Sequence, residues 1–542
     1  MDGALLAALF LLALVLRLVP LLFSPLPYNV DGFALTKIAS DFGATGHWSL
    51  NASDPNSADL KLPAFSLLWH AVVGLGGLNP LTDIQWVLPV VTSTIVLPVY
   101  LIGVLLTGRR SVGAAAGLFL AVFGSFLFLT SVVMKESLAL VFVPAIVLLF
   151  HGRADPRKRI LAVVLLLLLG LLHHVTLLVT TGMLGTLILL AHARDLSLGR
   201  LSPRRLALDV ASGLGPFGVG MAYYEAVGLG TIPQALDDFV LFLALVVLLG
   251  VLLVRAWRPA IARRGRRPAV TSGRVLLVPA LVVAGVLVNA RTDVFAGTLE
   301  TQVALLELLP ALLFLAALAV VGYVVVRRTA NRASDLVLAL AVAPIAFALF
   351  GFLRGLDSFS FRIEYRSFDF LDYAFALLAG IGTVAIAARL RAHRGARVVL
   401  AAAFFAALLA TTPMAWSTQA VFGVNNVTTP AEFQALSVLA SLGATRVATD
   451  QRMAAVGAWW FGLEGDRSLP YALQDGGVVP RADYALILER WTAVGAQEFP
   501  GANVPVSAAS LQAFLAANRV VYVTGGPGDR IFVVQLTGLP IT

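Results

Sequence analysis

The sequence predicts a polytopic α-helical membrane protein of about thirteen spans, closed at its C-terminal end by a small soluble α/β domain. Three observations lead there. Of 542 residues, 59% are hydrophobic and only 13% charged, whereas a soluble domain is about 45–50% apolar and about 25% charged. Apolar segments long enough to cross a bilayer follow one another up to about Thr412, separated by short charged loops. Beyond Thr412 the pattern changes to short alternating runs of the kind that build strands and amphipathic helices.

Taken in order, residues 4–23 form the first span. They lack a basic leading region and a clear small-residue cleavage site before Pro25, so the segment reads as an uncleaved span rather than a signal peptide. Residues 24–84 make a long first outer loop rich in Asp, Lys and His, in which Leu62–Leu78 is apolar but short and opens at Pro63. Further spans are expected near 85–107, 112–131, 136–150, 159–173, 175–193, 207–228, 236–255, 275–290, 303–326, 335–353, 369–388 and 397–412. Residues 1–412 are thus the membrane domain, 413–428 a linker and 429–542 the tail domain. In the tail, a helix is expected over Glu432–Leu442 and strands over Arg446–Thr449 and Tyr484–Leu488. A helix over Ala508–Ala517 follows, then a hairpin of Val520–Thr524 and Ile531–Gln535 around Gly525-Gly526-Pro527-Gly528-Asp529.

The charge pattern orients the chain. With Leu62–Leu78 lying at the membrane surface, most Lys and Arg fall in loops on one side, among them Arg109 and Arg110, Arg153 to Arg159, Arg194 to Arg205, and Arg389 to Arg397. Making Leu62–Leu78 a span would put that basic majority outside, against the positive-inside rule. The expectation is a multi-pass protein of the cell membrane, with a cytoplasmic N-terminus and an extracytoplasmic tail. The same clustering in short loops argues against a nucleic-acid partner, despite a net charge of +9. The chain has no cysteine, which excludes disulfides and thiol chemistry.

Polar residues in the outer loops are the candidates for chemistry. Asp31 follows the first span in Pro27-Tyr28-Asn29-Val30-Asp31-Gly32-Phe33, where an Asp also suits a helix N-cap. Lys135-Glu136 fills a minimal second loop, and ionisable residues at a membrane boundary are costly without a task; a first-turn helix charge is the alternative for Glu136. His173-His174 occupies the third loop, although adjacent residues on a helix point apart, which disfavours joint metal ligation. The fifth loop carries Arg291, Asp293 and Glu300. The sixth runs from Arg354 to Asp369, and if it is helical Arg362 and Arg366 share a face at i,i+4. Guanidinium forks suit phosphate oxygens, carboxylates suit a hard cation such as Mg²⁺ or Mn²⁺, and a carboxylate can deprotonate or orient an acceptor. Such parts can move a sugar from a polyprenyl-phosphate carrier to an acceptor.

The arrangement resembles the GT-C superfamily of membrane glycosyltransferases, which includes oligosaccharyltransferases, protein O-mannosyltransferases and aminoarabinose transferases. The Pro27–Phe33 stretch is similar to the first-loop acidic motif, Lys61-Leu62-Pro63-Ala64-Phe65 resembles the lysine–proline start of the family's surface helix, and Lys135-Glu136 takes the place of its second-loop acidic motif. Thr298-Leu299-Glu300 is similar to the fifth-loop Thr/Ser…Glu motif but one residue shorter. The resemblance implies Asp31 and Glu136 as catalytic carboxylates and candidate metal ligands, with Glu300 and Lys61 beside the substrate. His173 and His174 would be polar site walls, and Arg362 and Arg366 a lipid-phosphate clamp. It implies a polyprenyl-phosphate sugar donor, an acceptor that is a glycan, lipid or protein, and an inverting transfer. The second loop has no Asp-x-Asp. Trp459-Trp460-Phe461 lacks the Asp of the family's Trp-Trp-Asp acceptor motif, and both tryptophans are expected in the core of the tail domain. A multi-pass transporter or lipid flippase is the alternative, and it predicts ionisable residues inside spans, lining a path.

Overall fold

The computed structural model describes residues 2–50, 54, 56–230, 236–262, 280, 283–284, 288, 306–329, 333–355, 357–475, 481–498 and 503–536. Among them, seven helices are long and apolar enough to cross a bilayer, or eight if one bent pair counts as a span. The expected thirteen are therefore not reached by that criterion. Two of the other segments form helices of 17 residues each, α9 (Lys135–His151) and α10 (Pro156–Leu172), roughly 26 Å long against a hydrocarbon core of about 30 Å. A third, α12 (Pro203–Ala226), opens with Arg204, Arg205 and Asp209. The expected span 275–290 lies largely outside the described residues.

The chain enters through α1 (Asp2–Arg17) and runs into α2 (Asp31–Thr45), α3 (Ser57–Leu60) and α4 (Ala64–Gly76). Thirteen residues of α4 reach only about 20 Å, too short to cross. α5 (Ile84–Ser93) and α6 (Val96–Thr107) continue one another across a single turn.

α7 (Arg110–Val122) and α8 (Gly124–Ser131) are the bent pair, broken by 63° at Phe123. A break frees one donor and one acceptor that lipid cannot satisfy. Here two other helices meet them: the Gly124 N–H donates to Thr411 Oγ1 at 2.9 Å, and the Leu120 carbonyl accepts from buried Arg17 Nη2 at 3.2 Å. A Cβ at Gly124 would lie 1.7 Å from the Thr411 carbonyl oxygen, so only glycine fits this crossing.

α11 (His174–Ser197) is the most enclosed candidate span. After α13 (Leu236–Ala262) come α14 (Leu309–Thr329), α15 (Ser334–Arg354), α16 (Ser358–Arg389) and α17 (Arg394–Ala410). The expected loop from Arg354 to Asp369 is mostly helix. Asp357 Oδ1 accepts from the Ser360 N–H at 2.7 Å and starts α16, which runs without a break through Arg362, Arg366 and Asp369 into the membrane. A side-chain cap of this kind stabilises a helix start by about 1 kcal/mol.

The tail is a five-stranded sheet in the order β2-β1-β3-β7-β6, with β1 (Arg446–Ala448) parallel to β2 (Glu464–Asp466) and β3 (Tyr484–Leu488). β7 (Ile531–Gln535) runs antiparallel to both β3 and β6 (Arg519–Thr524). β2 and the small pair β4 (Ala496–Gln497) and β5 (Asn503–Val504) have no alternating signature in the sequence. The helix over Pro430–Ser441 starts at a capping box, Thr429 with Glu432. Glu432 is buried and meets Arg452 and Arg490, and Arg452 donates onward to the Val427 carbonyl at 2.6 Å.

Leu26 and Phe33, from the segment after α1, are buried in the tail domain's own core, Phe33 stacking on Phe433 at 5.8 Å. The loop carrying Asp31 and the tail domain therefore share one apolar cluster, and that cluster fixes the roof of the site.

Candidate active site

Between α14, α15, α16 and the tail lies a cavity of about 1580 Å³. Its long part is apolar, walled by Leu312, Ala316 and Val320 of α14, Val342 and Ile345 of α15, and Phe368, Leu371 and Leu378 of α16. From Phe361 to Leu378 the α16 wall runs roughly 26 Å, close to the thickness of a hydrocarbon core. Its mouth is polar: Asp31, Glu136, Arg362, Arg366, Asp369, Asp372 and Asn426 line it together with Arg452, Trp459 and Arg467 of the tail.

The two carboxylates come from loops stitched to each other. The Val133 N–H donates to the Tyr28 carbonyl at 2.9 Å, and Gln85 bridges the same pair of loops, accepting from the Tyr28 N–H at 2.8 Å and donating to the Ser131 carbonyl at 3.3 Å. Asp31 is the first residue of α2. Its side chain makes no cap hydrogen bond, and Val30 holds the cap position, so the helix-capping reading of Asp31 fails. The side chain instead opens onto the cavity. Desolvation by the surrounding protein, then the nearby charge of Asp59, pushes its carboxyl up to about 6, while Lys135 and Arg366 pull it down.

Glu136 is buried in the first turn of α9, and its Oε2 lies 3.9 Å from Arg366 Nε. Its Oε1 has no hydrogen-bond partner. Lys135 turns away to pair with Asp59 at 2.5 Å. Arg362 and Arg366 both line the cavity one helical turn apart, which α16 guarantees by continuing through them.

Other expected site residues are placed elsewhere. His173 caps α11, with Nδ1 2.7 Å from Thr176 Oγ1, and His174 packs beside Tyr224; neither lines the cavity. Lys61 Nζ donates to the Gly228 carbonyl at 2.8 Å, away from the lining. Glu300, with Arg291 and Asp293, lies outside the described residues.

Some lining residues carried no functional reading in the sequence. Asp372 is a carboxylate inside an apolar stretch, three residues after Asp369, a spacing that could have marked it. Trp459, expected in the tail core, lines the cavity instead, because a π-helical turn over Gly457–Phe461 separates it from Trp460, which packs on Phe433. Asn29, Asn426, Arg452 and Arg467 leave no local signature.

Among the described residues no three His, Asp or Glu side chains converge on a metal position. Mg²⁺ is commonly held by one or two carboxylates, with substrate phosphates and water completing the shell. Asp31 and Glu136, the latter with its unpartnered Oε1, fit a set of that kind.

No protein-family model and no curated sequence matches the chain. Solved structures do. An archaeal oligosaccharyltransferase, AglB from Archaeoglobus fulgidus, in complex with an inhibitory peptide and a dolichol-phosphate, superposes with a TM-score of 0.52 at 11% identity, covering 85% of this chain and 64% of that one. The Archaeoglobus fulgidus oligosaccharyltransferase in its apo form gives 0.54 at 12% identity over 90% of this chain and 69% of that one. The same enzyme with Zn and sulfate gives 0.54 at 12% identity over 98% and 73%. The chain thus spans about two thirds of the length of these enzymes, and at this identity the likeness is one of fold.

Proposed function

We propose that this chain is a membrane glycosyltransferase that moves a sugar from a polyprenyl-phosphate-linked donor to an acceptor on the extracytoplasmic face. The observation that carries the reading is one cavity joining a lipid-length apolar groove to a mouth of carboxylates and arginines. The lipid tail lies along α14–α16, exchanging one apolar environment for another, so the groove selects it by packing and length rather than by removal from water. Its phosphate meets Arg362 and Arg366. Glu136 holds Arg366 towards that position, and the tail domain with Trp459 covers the acceptor. The complex of AglB with a dolichol-phosphate supports a donor of this chemical kind.

In the transfer, an acceptor hydroxyl or amide attacks the anomeric carbon from the face opposite the phosphate. Asp31, which opens onto the cavity, accepts or orients its proton. The carbon–oxygen bond to phosphate breaks with its electron pair going to phosphate, where the guanidinium groups take up the developing charge. The configuration inverts. A Mg²⁺ or Mn²⁺ ion held by Asp31 and Glu136 would supply a Lewis acid for the phosphate oxygens.

The test is release of polyprenyl phosphate by the purified chain in vesicles, from a panel of synthetic polyprenyl-phosphate sugars, with a membrane extract as acceptor. Asp31→Asn should abolish release at unchanged thermal stability; release at the unsubstituted rate would overturn the reading.

One observation favours a second reading, a transporter or lipid flippase: Asp369 and Asp372 are ionisable residues within a span and line the cavity. That reading predicts that Asp372→Asn stops a fluorescent polyprenyl phosphate from crossing the vesicle membrane, and that the unsubstituted chain releases no polyprenyl phosphate from the sugar panel.

A further inference from the structure

Asn29 is, among the described residues, the one non-glycine with a positive φ, at 100°. A non-glycine residue adopts that conformation at a cost, and holds it only where its surroundings over-determine it. Three hydrogen bonds do so. The Asn29 N–H donates to the Asn426 carbonyl at 2.9 Å, its Nδ2 donates to Asn426 Oδ1 at 3.0 Å, and its Oδ1 accepts from the Asp31 N–H at 2.9 Å. Both polar atoms of the Asn29 amide are therefore used, one on the linker before the tail domain and one on the backbone of the candidate base.

Asn426 is itself fixed. It is buried, and its Nδ2 donates to Thr418 Oγ1 at 3.0 Å. The next residue, Val427, accepts from Arg452 Nη1 at 2.6 Å, and Arg452 belongs to the buried ion-pair network of the tail. A continuous set of hydrogen bonds thus runs from the tail domain through the linker to the Asp31 backbone.

We infer that Asn29 and Asn426 are positioning residues: the clasp between them sets where the Asp31 carboxylate stands in the cavity and ties that position to the docked tail domain. The catalytic consequence rests on the glycosyltransferase reading above; the geometric one does not. A misplacement of about 1 Å costs on the order of 10²-fold in rate when a reacting group must be aligned. The residues that set Asp31 accordingly act on turnover more than on donor affinity.

The chain has no cysteine, so a single introduced thiol reports its own surroundings. The experiment places Asp31→Cys, and separately Ser125→Cys on another wall of the cavity, in the full-length protein. Each is reacted with 2-aminoethyl methanethiosulfonate in the unaltered, Asn426→Ala and Asn29→Gly backgrounds. Glycine adopts a positive φ freely, so Asn29→Gly removes both side-chain hydrogen bonds of the clasp while keeping the backbone path and the main-chain bond to residue 426. The expected result is a severalfold change of the Asp31→Cys rate in both backgrounds with the Ser125→Cys rate unchanged. An unchanged Asp31→Cys rate, or an equal change at both positions, overturns the inference. With Asp31 intact, the same two substitutions should lower kcat for the synthetic donor by about tenfold or more at similar KM. If Asp31→Asn proves active while the thiol rates shift as expected, the transferase assignment of Asp31 falls and the clasp stands. If Asp31→Asn is inactive and the thiol rates do not move, the clasp alone falls.

Discussion

Arg366 Nε lies 3.9 Å from Glu136 Oε2, bringing the first turn of α9 against the outer part of α16. The contact is too long for a good hydrogen bond. It therefore orients the guanidinium electrostatically, while Nε donates to Tyr365 Oη at 3.5 Å and the two Nη groups are left for an anion in the cavity. The start of α9 and the long helix α16 meet at this point, with Asp31 within electrostatic reach of both side chains.

Arg366→Ala should weaken binding of farnesyl phosphate by roughly 1.5–3 kcal/mol, the range for a hydrogen bond to a charged group. Arg366→Lys should recover only part of it, because an ammonium cannot reproduce the planar fork. Calorimetry in detergent with the three proteins checks both statements, and equal affinities would remove Arg366 from the clamp.

Gly124→Ala should destabilise the membrane domain by about 1–3 kcal/mol or more, the usual cost of forcing atoms into a packed crossing. The added Cβ meets a backbone carbonyl oxygen, which cannot rotate away. Thermal unfolding compared with Gly215→Ala, a helical glycine facing open space, provides the measurement.

Glu432→Gln should cost about 3–5 kcal/mol, since it leaves Arg452 and Arg490 without their shared carboxylate in a dry site. The loss should appear as earlier unfolding of the tail in denaturant, and Arg490→Ala, at the more exposed end of the network, should cost less.

Hydrogen bonds from Arg530, with those from the backbone N–H groups of Arg530 and Gly528, hold the Glu489 carboxyl at about 2. Its folded pKa lies below the unfolded value of about 4.3. The contribution to stability is therefore complete above about pH 4.3 and is lost as pH falls towards 2. A Glu489→Gln chain should lack this part of the acid dependence when melting temperature is followed from pH 5 to 2, and an unchanged profile would show that the clamp contributes nothing.

Much of the fold was legible because the forces behind it are local in sequence. Tyr484–Leu488, Ile531–Gln535 and Ala508–Ala517 form the elements their periodicity predicts, within the same bounds. The helix expected over Glu432–Leu442 forms over Pro430–Ser441, and its earlier start comes from a capping box of Thr429 with Glu432, three positions apart, that the periodicity does not register. The break at Phe123 was not legible, because what permits it, Arg17 on Leu120 and Thr411 on Gly124, comes from opposite ends of the membrane domain. The same holds at the site. Asp31, Glu136, Arg362 and Arg366 could be picked out as charges at membrane boundaries, where each is costly alone. Nothing near Lys135 in sequence says that it pairs with Asp59, and nothing near His173 separates a helix cap from a substrate contact.

By itself, then, the sequence determined the solvent the chain folds in, the change from apolar helices to a tail of strands and helices, and a short set of charged candidates. Apolar length, periodicity and capping act over a few residues and can be read there. Only the tertiary structure decided which candidates share a cavity, that Asn29 and Asn426 hold the Asp31 loop, and that Leu26 and Phe33 belong to the core of the tail. Those outcomes depend on which helix faces pack together, and packing selects partners hundreds of residues apart through shape and burial that no short window of sequence contains.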